Sequence, residues 1–205
     1  MPVDEWKQLR STLRANGIDG AEDVGRSVNS TRDPSTLDER AAMPVLLEAL
    51  PGLSDPSLVE AVAGHLRRPW ARPEAFEPLH QAFLHWAAVD QNTAWTLGDT
   101  LGMVATVHHL ETLLTLCRDP SLGTARQMVV YSLRRYKDEP EVARVLGDLV
   151  ADPDVGPHAM SALRSVVGNE QVVPTLERVA FAHQGSSLGS AADRELRKAR
   201  QALES

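Results

Sequence analysis

His65, Arg67, Arg68, Trp70 and Arg72 crowd into eight positions around Pro69 and Pro73. Three guanidinium groups and an indole in a proline-stiffened loop have the chemistry to hold an acidic peptide or to stack a base. A plainer role fits the same residues and is the one expected. Arginines at the end of a helix offset its dipole, and Trp70 then packs inward within a linker. Tyr131, Arg134 and Arg135 close a later helical stretch in a similar way, and Arg164 closes another. If the stretches superpose, these arginines line one edge and form a basic ridge on an otherwise acidic protein.

Elsewhere, residue types that do covalent or metal chemistry lack the spacing for it. His80 and His85 are five apart, on different faces of a helix. His108 and His109 are adjacent, with Glu111 nearby, and match no zinc pattern. No metal and no cofactor is expected. Nothing reads as a Gly-x-Ser-x-Gly elbow, a Ser-x-x-Lys pair or a Cys–His signature, and Gly185-Ser186-Ser187 reads as an inter-helix turn. Gly98 and Gly102 are expected to interrupt a helix rather than to cradle phosphate. The single cysteine, Cys117, lies among Leu113, Leu114 and Leu116 and reads as a buried small hydrophobe. One cysteine forms no internal disulfide, so nothing points to an oxidising compartment.

The 205 residues carry a formal net charge of −7, with 18 Arg and only 3 Lys, a usage that fits a GC-rich bacterial genome. The acidity is uneven: residues 1–102 hold 9 basic and 15 acidic side chains, residues 103–205 hold 12 and 13. That balance argues against nucleic acid as the partner, since phosphate affinity comes from clustered Lys and Arg. No apolar run approaches the roughly 18 residues of a membrane span. The opening Asp4, Glu5, Trp6, Lys7 is unlike a secretory leader. Cytoplasm is the expected compartment.

The elements that must position these residues are helices. Hydrophobic residues are 42% and aromatics only 4% of the chain, so Leu, Val and Ala must form the core at close helix contacts. Residues 1–35 read as an N-terminal cap: a helix over 4–15 with Trp6, Leu9 and Leu13 at helical spacing, then a polar, irregular stretch anchored by Val24 and Val28. Residues 36–205 read as five helical pairs. First helices are expected near 36–50, 74–88, 107–118, 140–151 and 171–183. Second helices are expected near 56–66, 91–106, 121–137, 155–167 and 187–203, the last a charged cap. Leu84, Trp86, Trp95, Phe181 and Leu203 are expected to pack inward.

The recurrence is marked by Asp55-Pro56, Asp119-Pro120 and Asp152-Pro153, with Asp90 between the first two, spaced 35, 29 and 33 apart. Each Asp is expected to cap the helix after it, accepting from free backbone amides and facing the positive end of the dipole, for about 1 kcal/mol. Eleven positions after each Asp comes an apolar residue: Leu66, Leu101, Val130 and Leu163. Pro44, Pro78 and Pro174 are expected in the first turns of first helices, where proline costs little.

This layout resembles the HEAT-repeat family, in particular the short bacterial repeats also found in phycobilisome lyase subunits. The residues that match are Asp119-Pro120-Ser121-Leu122 and Asp152-Pro153-Asp154-Val155, with weaker copies at Asp55-Pro56-Ser57-Leu58 and Asp90-Gln91-Asn92. The Val-Arg pair usual early in the second helix is missing, and Ala125-Arg126 comes nearest to it. The resemblance implies a right-handed α-α superhelix, a solenoid of about five hairpins. It also implies a non-enzymatic adaptor that binds a protein along the concave face of its second helices. On that reading Arg67, Arg68, Trp70, Arg72, Trp95, Asp99, Arg126, Tyr131, Arg134, Arg135 and Arg164 are the candidate contacts. Two alternatives follow from the same resemblance. HEAT-like DNA glycosylases use a groove Asp with aromatic side chains, for which Asp99 and Trp95 are the nominees, and bilin lyase subunits handle a chromophore.

Overall fold

The computed structural model describes residues 4–26 and 35–204. Among these residues the chain forms eleven α-helices and no strand, so it is all-helical, as the periodicity requires. It divides into two compact units, Met1–Thr106 and Val107–Ser205.

The first unit holds α1 (Glu5–Ala15), α2 (Glu39–Ala49), α3 (Pro56–Leu66), α4 (Phe76–Ala87) and α5 (Gln91–Val104). α2 pairs with α3 and α4 with α5, and the two second helices, α3 and α5, pack on each other. Leu58, Val59, Val62 and Leu66 of α3 and Leu97 and Leu101 of α5 are fully buried. Each such side chain contributes about 1.5–3 kcal/mol through removal from water. Thr100 on α5 donates its hydroxyl to the Ala63 carbonyl of α3 at 3.1 Å. Gly98 and Gly102 do not interrupt α5; they are buried within one continuous helix. Part of the polar stretch after α1 is regular. Ala21–Gly25 forms a 3-10 segment with Val24 fully buried. Asp23 accepts from the Thr36 amide at 3.1 Å and hydroxyl at 2.6 Å, bonds that lower its pKa. Val28 lies outside the described residues.

The second unit holds α6 (Leu110–Arg118), α7 (Gln127–Ser132), α8 (Pro140–Leu149), α9 (Gly156–Val167), α10 (Asn169–Ala182) and α11 (Ser187–Glu204). Hairpin partners pack together, and α9 contacts both α7 and α11. The helix expected over 121–137 is in three pieces: a 3-10 segment Pro120–Arg126, then α7, then a 3-10 segment Leu133–Tyr136. The break is at Gly123, with φ 53° and ψ −135°, a conformation that only glycine adopts without strain.

Three of the four Asp landmarks cap the helical segment that follows. Asp55 accepts from the Ser57 amide at 2.9 Å, Asp90 from Thr93 at 3.2 Å and Asp119 from Ser121 at 2.9 Å. Hydrogen bonds to these three carboxylates lower their pKa values, the largest contributions coming from the hydroxyls of Ser57, Thr93 and Ser121. Asp152 caps a turn instead, accepting from Asp154 at 2.8 Å, and α9 starts only at Gly156. Leu66, Leu101, Val130 and Leu163 are all buried, as their shared register demands. Three further expectations fail. Pro44 and Pro174 lie inside α2 and α10, beyond the first turn, where each removes an intrahelical bond. Trp95 and Leu84 are 38% exposed. Phe181 and Leu203 are 84% and 53% exposed, because the buried seam of α10 runs through Val172, Leu176 and Val179 and that of α11 ends at Ala199.

Candidate interaction surface

In the first unit the arginine cluster at the end of α3 is consumed by neighbouring acceptors. Arg67 is the C-cap residue of α3; its Nε lies 2.5 Å from Asp99 Oδ2 and its Nη2 donates to Oδ1 at 3.2 Å. Arg68 grips Glu39 with a fork, Nε to Oε2 at 2.6 Å and Nη2 to Oε1 at 2.9 Å. Arg72 donates through Nε and Nη2 to the Met103 carbonyl oxygen at 2.9 and 2.6 Å, filling an acceptor that the last turn of α5 leaves open. His65 is 1% exposed. Its Nε2 donates to the Val24 carbonyl at 3.1 Å, and its Nδ1 lies 3.2 Å from Glu39 Oε1. Trp70 is half-buried, and the Arg40 guanidinium covers its ring at 4.9 Å from the centroid. The cluster departs from the plainer expectation, since its arginines answer acceptors on other elements rather than the dipole of α3 and Trp70 is only half-buried; it fastens the N-terminal cap and α2 to α3, and α3 to α5. Glu39 and Arg40 are the partners that sequence reasoning missed.

Asp99 and Trp95 occupy successive turns of α5, but the Asp99 carboxylate is committed to Arg67. The pair nominated for base excision lacks a free carboxylate. Trp95 itself is partly open to solvent.

Arg126, in the second unit, does not reach the surface. At 1% exposure it donates to the Gly123 carbonyl at 3.1 Å, the Cys117 carbonyl at 3.0 Å and Asp152 Oδ2 at 2.9 Å. A buried guanidinium needs that many acceptors. Arg164 on α9 donates to Glu195 Oε2 on α11 at 2.9 Å. Burial raises the pKa of Glu195, but its bonds to Lys198 and Arg164 outweigh that and hold it low. Arg67, Arg68, Arg126 and Arg164 each face a carboxylate, so their charges are answered within the chain.

Tyr131, Arg134 and Arg135 differ from that set. The Arg134 guanidinium carbon stands 3.9 Å from the Tyr131 ring centroid, and its Nη1 donates to the phenol oxygen at 2.6 Å. Tyr131 also meets His158 of α9 edge-on, at 6.3 Å and 80°. Burial pushes the His158 pKa down, and its buried Nδ1 has no hydrogen-bond partner among the described residues. Arg135 is exposed and lies 5.9 Å from the Tyr136 ring. His158 had no sequence signal, since only the pairing of α7 with α9 brings it to Tyr131.

Other chemistry is not assembled among the described residues. Cys117 is fully buried, and desolvation pushes its thiol far up. No group of three or more His, Cys, Asp or Glu is placed to hold a metal. No helix is long and apolar enough to cross a membrane. Gly185-Ser186-Ser187-Leu188-Gly189 does spell Gly-x-Ser-x-Gly, contrary to the sequence expectation, but no strand precedes it. The serine of that pattern, Ser187, is the exposed first residue of α11, and the Ser186 hydroxyl before it caps the helix, donating to the His183 carbonyl at 2.7 Å and accepting from the Gly189 amide at 3.1 Å. A Cβ on Gly189 would stand 2.2 Å from that carbonyl oxygen, which explains the glycine without catalysis. No protein-family model matches this chain, and neither a curated protein nor a solved structure is detectably similar to it.

Proposed function

We propose that the chain is a non-catalytic adaptor whose units are short HEAT-like stacks and whose second helices present the surface for a protein partner. The observation that carries this reading is the division of labour along those helices. Their arginines and carboxylates are spent on one another, as in Arg67–Asp99, Arg126–Asp152 and Arg164–Glu195. Aromatic side chains at Trp95 and Tyr131 stay partly open to solvent. Tryptophan and tyrosine are the side chains most often found at energetic centres of protein interfaces. Charged groups paired with one another beside open aromatics suit binding better than turnover.

Affinity purification from native lysate tests the reading, with Trp95→Ala as the paired variant. Wild-type protein should enrich a defined partner, and the variant, equally stable, should lose it by tenfold or more, about the effect of removing one interface anchor. Failure of the wild type to enrich any partner sinks the proposal.

A further inference from the structure

We infer that Tyr131, Arg134 and Lys137, backed by His158, form the contact point for an acidic segment of a partner protein. This rests on the adaptor reading and adds the chemistry of one of its contacts. Four of the arginines that punctuate the helices face a carboxylate of this chain, and Arg72 fills a backbone acceptor. Arg134 has neither among the described residues. Its guanidinium is ordered by the Tyr131 ring and phenol oxygen, which leave its charge unneutralised. A cation held this way loses little side-chain entropy when a carboxylate arrives, and its remaining N–H edge has the fork geometry that carboxylates match.

Tyr131 is held in turn by His158, so the platform belongs to two packed helices rather than to one mobile side chain. Lys137 is exposed three residues beyond Arg134 and adds positive charge on the same 3-10 terminus. Asp138 and Glu139 follow directly and bound the patch. So small an area suits one or two acidic side chains. A nucleic acid strand needs cations along a run of phosphates, and here the run is cut short by carboxylates.

Fluorescence anisotropy of the full chain with a fluorescein-labelled peptide of alternating Glu and Ser tests the assignment. Saturable binding that weakens with added salt is expected. Arg134→Glu and Tyr131→Ala should each weaken it at least about tenfold. Arg178→Glu, at an exposed position on α10, makes the same change in net charge and should leave binding unchanged. Should circular dichroism show Arg134→Glu misfolded, Arg134→Gln carries the same test. Equal loss in the Arg178 variant, or displacement of the peptide by inorganic phosphate or duplex DNA, overturns the assignment. Absence of peptide binding also overturns it, while the adaptor reading still stands or falls on the Trp95 purification.

Discussion

At the residue scale, Arg126 shows how misleading an arginine can be when only its neighbours in the chain are known. Beside Ala125 it resembles part of a repeat signature, yet it is buried and spans Cys117, Gly123 and Asp152. Arg126→Ala should destabilise the protein by about 3–5 kcal/mol, because it strands Asp152 and two carbonyls. Urea denaturation followed by circular dichroism measures this. Arg126→Met should recover only the packing part of that loss, and full recovery would show that the polar contacts contribute nothing. Cys117 offers a second check. Its buried, neutral thiol should be inert to a thiol-specific chromogenic reagent in the native protein and should react stoichiometrically in denaturant.

At the element scale, the Asp caps and Gly123 decide where helices start and stop. Asp119→Ala should cost about 1 kcal/mol by freeing the Ser121 amide. Gly123→Ala should cost about 1–3 kcal/mol, since alanine is strained at positive φ. Thermal unfolding of each variant supplies the measurement. The caps also set an acid limit. The folded-state pKa values of Asp55, Asp90 and Asp119 are depressed. Their contribution is therefore complete above the unfolded carboxyl value and is lost as pH falls below about 4 through the folded values. An acid titration that left stability unchanged across that window would contradict the caps. These elements were legible because Asp-Pro, and an apolar residue eleven positions on, report local backbone chemistry. The breaks were less so. Gly123 looks like any glycine until its φ is known, and Asp152-Pro153 has the letters of the helix starts at Asp55 and Asp119 although it opens a turn. A large aromatic such as Trp95 belongs in the core by composition alone, whereas the buried face of α5 is built from Leu97 and Leu101 without it.

At the scale of the molecule, the formal charge of −7 disfavours a phosphate backbone, and Arg67, Arg126 and Arg164 are already paired with carboxylates. Filter binding at roughly 0.15 M salt should show no retention of duplex DNA, and retention would revive the glycosylase alternative. The contact residues were only partly legible. Their acceptors sit 29 and 31 residues away, so Glu39 and Glu195 are invisible to any local motif. That separation has a consequence for how such a chain varies over evolutionary time. Arg67 reaches 32 residues ahead, Arg72 reaches 31 and Arg164 reaches 31, so the sequence contains a built-in ruler. A single-codon slip within one of these spans would misalign donor and acceptor together, so length variation among descendants should fall outside them.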